Sequence, residues 1–549
     1  MQKKQTILVV ASLLVVVLSV TLAYFTAQII GKGKNVTINS ADLKIIFTDS
    51  DGSISGSNIE PGKWNVTKTF TIENKSNETY KYNIVIQDLV NTFVTKGYLQ
   101  YKITSTNNGY NMTEFKDIPK SETATDTILA YSVSIPVGVT QSYTVEFIYK
   151  NDESVDQSED MGKTLSGKLF ITEGTKEPVT LLSQILNDNS TRLTRIDFNT
   201  TFTETNTGTL YKATESIAGN TPKDVYYFAG DAKNNWVKFG KYQKDLIRYR
   251  GYYSTTNTSY EEYSTMDECT SASMFNINCT EYKYANTGDD IYWRIIRTNH
   301  DGSIRLLYSG TSLDTTSAYI GTNAFNSESV DPMYVGYMYG NTGSPENNRL
   351  NTNNSTIKTY IDNWYNNNLS SYSKYISTEA VYCNDRELAS GATYNTGNTT
   401  FYYTPYGRLD KNKQPTYNCT NNKDAFSGSN TEAKLTYPIG LMTADEIAYA
   451  GGKADTNLPS PYAWYYLNSE GGSITGDTWW WSLSPYFWYG TYSAVWHVDG
   501  SSRPGRLNSG TVKNCIGARP VISLKTCTLW TSGNGAHETP YEISTTSGC

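Results

Sequence analysis

The sequence predicts a mainly β chain whose C-terminal half is α+β. Three observations carry this. Between residues 35 and 173, short segments alternate polar and apolar side chains with a period of two and are rich in Thr, Val, Ile and Tyr, as half-buried strands are. Asp301-Gly302 lies between two apolar segments, a strong hairpin signal. Runs of the helix-favouring residues Ala, Glu and Leu are scarce, while Tyr, Thr, Ser and Asn dominate.

The chain has 549 residues, room for two or three domains. With 38% hydrophobic and 13% aromatic residues it is not a disordered protein. The 45 Tyr and the low charged fraction of 18% suit an exported, surface-type protein, and nucleotide bias in an AT-rich genome is the competing cause of the same excess. The net charge of -7 excludes nucleic acid as an expected partner.

At the start, Lys3 and Lys4 precede an apolar run from Ile7 to Phe25. A charged head and an apolar middle make residues 1–30 a signal peptide, with Thr21 and Ala23 as the small residues of a cut, or else an uncleaved membrane anchor close to the roughly 20 residues a span needs. Either fate leaves the rest extracytoplasmic, at the cell surface or secreted. Residues 35–173 follow as a β-sandwich. Its strands are expected at Asn35–Asn39, Leu43–Phe47, Val66–Ile72, Tyr80–Ile86, Tyr143–Tyr149 and Gly167–Ile171, with turns at Asp49–Gly52 and Pro61–Gly62. Acidic residues 151–164 read as a loop.

The head Leu22-Ala23-Tyr24-Phe25-Thr26, followed by Asn58-Ile59-Glu60-Pro61-Gly62 and Phe70-Thr71-Ile72-Glu73-Asn74, resembles the exported TasA/camelysin-like proteins of Gram-positive bacteria. The resemblance covers about 170 residues. It implies export and, because the family includes biofilm fibre subunits, self-association through this domain.

Residues 174–219 are expected as a linker with a short helix at Thr180–Asn187, and residues 220–530 as the second domain. Strands there fall at Trp236–Phe239, Tyr292–Arg297 and Ile304–Leu307, and residues 240–288 read as an inserted Tyr-rich loop. Ser355–Tyr375 is amphipathic, with Ile357, Ile361, Trp364 and Leu369 on one side. Thr443 with Glu446 three residues later forms a capping box for a helix stopped at Gly451-Gly452. Residues 531–549 are expected as a tail.

The set Tyr292-Trp293-Arg294-Ile295-Ile296-Arg297, Cys383-Asn384-Asp385-Arg386, Tyr437-Pro438-Ile439-Gly440-Leu441, Trp480-Trp481-Ser482-Leu483-Ser484-Pro485 and Gly517-Ala518-Arg519-Pro520 resembles Firmicute surface and phage proteins with a C-type-lectin-like domain, in the branch related to formylglycine-generating enzymes. The resemblance implies that Arg519 is a buried partner of a carboxylate or carbonyl. It does not bring the enzyme's cysteine pair, because Cys515 has no close partner in sequence. Nor does it bring the Glu-Pro-Asn type signatures of calcium-dependent lectins. His497 and Asp499 share a strand face, but no Gly-x-Ser-x-Gly elbow supports them as catalysts. No catalytic residue, metal ligand or cofactor is expected.

Between the aromatic block Trp479–Trp488 and Val521–Leu524 lies a stretch rich in Tyr, Ser, Gly, Asn and Arg, the make-up of a recognition surface. The expected ligand contacts are Tyr486, Phe487, Tyr489, Tyr492, Ser493, His497, Asp499, Ser501, Arg503, Arg506 and Asn508. Alternation turns Trp496 and Val498 inward and His497 and Asp499 outward. The stretch resembles the variable region of diversity-generating retroelement proteins, whose mutated Asn codons never yield Lys, Glu, Gln, Met or Trp. Every contact just named is reachable, whereas Trp488, Trp496 and Lys513 are scaffold; undiversified members of the family leave both readings open.

Seven cysteines contain no C-x-x-C, and with three His a zinc cluster is not expected. Cys269 with Cys279, Cys383 with Cys419, and Cys527 with Cys549 are disulfide candidates, and the odd count leaves one thiol free or paired between chains. The expected function is non-enzymatic, adhesin-like binding of a protein or glycan ligand on another cell or surface. The alternative is a biofilm-matrix or fibre subunit.

Overall fold

The computed structural model describes residues 36–38, 43–47, 52–56, 59–75, 79–174, 179–253, 260–272 and 278–549. The expected signal or anchor, residues 1–30, lies outside them. Among the described residues no helix is long and apolar enough to cross a membrane. The chain divides into two units, residues 1–177 and 178–549, and both are mainly β.

The first unit is a sandwich of two antiparallel sheets. One runs Val36–Ile38, Leu43–Phe47, Asn65–Asn74, Thr140–Tyr149, Leu99–Ser105, Lys116–Asp117; the other Ser53–Gly56, Leu165–Glu173, Tyr80–Asn91, Ser121–Ile135. Alternation sends Tyr143, Val145, Phe147 and Tyr149 of one strand to the inside, where they meet Ile84, Ile86 and Leu169 of the facing sheet. Buried tyrosines carry hydroxyls that need partners, and Tyr82 meets Tyr143 across the sandwich. The chain turns at Gly62, whose φ of +73° suits glycine. The acidic loop closes on Asp160, a buried carboxylate that accepts hydrogen bonds from the Val94 amide and the Tyr149 hydroxyl.

The second unit is built on a ten-stranded and a six-stranded sheet. The Asp-Gly hairpin forms as expected: Asp290–Thr298 pairs with Ile304–Tyr308, and Gly302 turns at φ +79°. Pro520–Leu524 lies beside Ile304–Tyr308. Helix Thr356–Asn368, capped by Ser355, buries Ile357, Ile361 and Trp364. Helix Ala444–Ala450 carries the full capping box of Thr443 and Glu446. Helix Leu181–Asp188 is capped by Thr180.

Three stretches differ from the reading of the sequence. Residues 179–219, expected as a linker, are built into this unit: Leu181 donates its amide to Thr528, and Thr191–Leu193 and Thr209–Glu215 join the ten-stranded sheet. The expected tail also joins it, with Tyr541–Ile543 parallel to Trp236–Lys241 and Tyr541 fully buried. Unpaired strand edges of the sheet take up both segments. The expected loop 240–288 holds a three-stranded antiparallel sheet of Tyr260–Tyr263, Leu246–Tyr252 and Cys279–Ala285. All three disulfide pairings form: Cys269–Cys279, Cys383–Cys419 and Cys527–Cys549.

Candidate ligand-binding surface

Strand Trp480–Trp488 runs through the six-stranded sheet, with Ser493–Val498 antiparallel on one side and the short strand Phe401–Tyr402 on the other. Its apolar side chains Trp480, Trp481, Leu483 and Trp488 are buried, as are Trp496 and Val498. Arg519 is buried as well. It donates to the carbonyls of Tyr308 and Tyr465 and lies over the Trp480 ring. Burial pulls its guanidinium down to about 9. This is the structural, carbonyl-bound role expected for it.

The eleven expected contacts divide into three groups. Tyr486, Phe487, Tyr489 and Tyr492 form one ring cluster, with centroids 4.9 Å apart for Tyr486–Phe487, 5.6 Å for Phe487–Tyr489 and 5.4 Å for Tyr489–Tyr492. Tyr489 is 54% exposed, and the other three are half-buried. Ser501 and Arg503 are exposed in the turn after Asp499, where the Ser501 hydroxyl bonds Asp477.

The third group corrects the expected alternation. Ser493, His497 and Asp499 are buried rather than outward. Strand Ser493–Val498 is central, flanked by Trp480–Trp488 and Leu507–Thr511, and Trp479 stacks on the His497 ring at 4.9 Å and so covers its second face. His497 Nε2 lies 2.8 Å from Asp499 Oδ1. Arg506 donates to Asp499 Oδ2 at 2.7 Å, and Asn508 lies at 3.4 Å from the same oxygen. Burial pushes the Asp499 carboxyl up, but the hydrogen bonds from His497 and Arg506 outweigh it and hold the group below the usual range. Ser493 donates to the Asp331 carbonyl at 2.5 Å. The Asp499 carboxylate thus has its partners within the fold, whereas His497 Nδ1 is buried without one.

The ring cluster has members that the sequence reading missed. Tyr402 and Tyr406 stack on each other at 3.9 Å, and Tyr406 meets Tyr486 edge-on at 5.2 Å. Strand pairing brings them there, since Tyr402 is opposite Phe487. One π-helical turn, Gly407–Asn412, follows, a local irregularity common at functional sites. It places the Lys411 ammonium 5.1 Å from the Tyr406 ring centroid. Ala392, Thr400, Tyr402, Tyr406, Lys411 and Asn412 line a cleft of 470 Å³ beside the rings, a size usual for small-ligand sites. The signal was the run Phe401-Tyr402-Tyr403-Thr404-Pro405-Tyr406, four aromatics in six residues.

A second charged centre lies deeper. Glu446 accepts from Arg297 Nε at 2.9 Å and Arg305 Nη1 at 2.7 Å, and Arg297 also reaches Glu215 at 2.8 Å. Burial raises the Glu215 carboxyl, yet Arg297 and His300 bring it down to about 2. Nearby Asp385 is pushed up to about 6 by burial despite Arg408 at 2.6 Å. The adjoining cavity has 20 Å³, enough for about one water molecule and for no substrate. Perturbed carboxyls here belong to a structural ion-pair network. Among the described residues no group of three or more His, Cys, Asp or Glu is placed to hold a metal.

No protein-family model matches the chain, and a search of curated proteins returns no significant match.

Proposed function

We propose that this chain is an exported, non-enzymatic binding protein whose C-terminal unit has a C-type-lectin-like architecture and presents a ligand-binding surface to a protein or glycan on another cell. The observation that carries the reading is the six-ring cluster of Tyr402, Tyr406, Tyr486, Phe487, Tyr489 and Tyr492, two of whose rings, Tyr402 and Tyr406, line an open cleft. Aromatic rings left partly open to water on a sheet, with Tyr489 exposed and the others half-buried, are suited to recognition. Three intramolecular disulfides fit an oxidising, extracytoplasmic compartment. The N-terminal apolar run serves as export signal or anchor. Diversification, as part of the same proposal, is confined among the expected contacts to the exposed and half-buried positions Tyr486, Phe487, Tyr489, Tyr492, Ser501, Arg503, Arg506 and Asn508; a near-copy of this coding stretch beside a reverse transcriptase gene is its test.

Replacing Tyr486, Tyr489 and Tyr492 together by Ala tests the surface. Binding to target cells should be lost with little change in melting temperature. Unfolding of the variant, or unchanged binding, would refute it. A fibre role is the second reading, favoured by Ser121–Ile135, a 15-residue strand at the edge of the four-stranded sheet. Filaments on size exclusion at rising concentration would support it.

A further inference from the structure

A second cleft, of 330 Å³, shares no lining residue with the first. The two lie toward opposite ends of strand Trp480–Trp488: Tyr402 pairs with Phe487, whereas the Trp481 indole donates to the Asn323 carbonyl at the second cleft. Ten residues line it, among them Asn323, Asn326, Asn354, Asn363, Tyr339 and Tyr360; the rest are Ser and Thr. None is charged and none is aliphatic. Its walls are held by the fold. The Asn326 amide N–H donates to Val512 at 3.0 Å, and the Ser327 N–H donates to Thr356 Oγ1 at 2.9 Å.

Asn326 stands in the wall of this cleft. It is 2% exposed, and its side-chain Nδ2 has no hydrogen-bond partner. Among the described residues it is the one buried carboxamide nitrogen without an acceptor, although the Oδ1 atoms of Asn234 and Asn299 also lack partners; Asn384 donates to Leu483 at 2.8 Å and Asn235 to Ile295 at 3.0 Å. A buried, unpaired amide costs stability, and in the wall of an open cleft a ligand that accepts from it recovers that cost. The lining says what kind. A charged ligand would find no counter-charge, and a peptide would find no apolar pocket for an anchor side chain. A sugar ring offers what these residues complement. Its vicinal hydroxyls can accept from Nδ2 and donate to Oδ1 of one carboxamide. Its C–H face packs on tyrosine rings, and its remaining hydroxyls meet Ser, Thr and Asn.

We infer that this cleft binds a neutral saccharide, with the Asn326 carboxamide bridging two of its hydroxyls. The test uses the full chain with glucose, galactose, mannose, N-acetylglucosamine and their linear oligosaccharides, followed by saturation-transfer NMR and calorimetry. Glucuronic acid and a peptide library are run in parallel. At least one neutral sugar should bind saturably. Asn326→Leu should weaken it about tenfold or more while leaving the melting temperature equal or higher. The double variant Asn354→Ala/Asn363→Ala, at two exposed positions, should weaken it as well and guards against misfolding of the first. The Tyr486/Tyr489/Tyr492 alanine variant should bind the sugar as the wild type does, which separates this cleft from the aromatic surface. No saturable sugar binding, binding unchanged in both cleft variants, or binding only of the peptides or the acid would overturn the assignment.

Discussion

Asp499→Ala separates interior from surface in the stretch that looked most like a paratope. The carboxylate is fully buried and takes two strong contacts, from His497 at 2.8 Å and Arg506 at 2.7 Å; the third, from Asn508 at 3.4 Å, is too long to count for much. Hydrogen bonds to charged groups contribute about 1.5–3 kcal/mol each, so two sum to about 3–6 kcal/mol. Arg506 keeps 18% of its side chain exposed and regains some water when released. The expected loss is therefore about 3–5 kcal/mol, the range for a buried pair stripped of one partner. Against a total of about 5–15 kcal/mol this is severe. Urea unfolding followed by tryptophan fluorescence reads it. Trp64 is the one tryptophan in residues 1–177, so the signal reports the second unit, and Trp479 sits on His497 itself. The pH dependence has a definite sign. The folded carboxyl lies below its ordinary 3.8, so its stabilisation is complete above that value and is lost as pH falls through the folded pKa. The gap between wild type and variant should therefore close in acid. A loss under about 1 kcal/mol accompanied by lost ligand binding would show that Asp499 is a contact residue and that the burial argument fails.

Asp385 should behave oppositely. Its folded carboxyl stands near 6, above the ordinary 3.8, so the folded state is penalised above about pH 6 and relieved below 3.8. Asp385→Asn should raise stability at about pH 7.5 by at most about 3 kcal/mol and leave it unchanged in strong acid; a drop at neutral pH would mean that the pair with Arg408 dominates. Thiol titration of the native chain should count one reactive group, because Cys515 is exposed and unpaired while the other six cysteines are bridged. A count of zero would place Cys515 in a bridge between chains. Opening Cys383–Cys419, which closes 36 residues, should lower the second unit's stability by about 2–4 kcal/mol, seen as a shifted urea midpoint.

Much of this protein was written locally. Thr-Val-Ile-Tyr alternation marks the sandwich strands because successive side chains in a strand point to opposite faces. Asp301-Gly302 marks its hairpin because a turn of that type needs positive φ, and Thr443 with Glu446 marks a helix start because two backbone amides there lack partners. The nearer cysteine pairs were candidates by spacing, and the buried role of Arg519 was what the resemblance implied; the fold closes the pairs and sets Arg519 on backbone carbonyls. What only the tertiary structure decided is which second faces are covered. Alternation assumes water on one side of a sheet. Around Ser493–Val498 both sides are closed by Trp479 and neighbouring strands, so His497 and Asp499, outward by pattern, became core. The two clefts are likewise tertiary. One needs Tyr402 paired to Phe487, and the other gathers residues from Ser264 to Asn363 around Asn326. Contacts so distant in sequence leave no periodic trace, because each depends on where other segments pack rather than on the residues two or four places away.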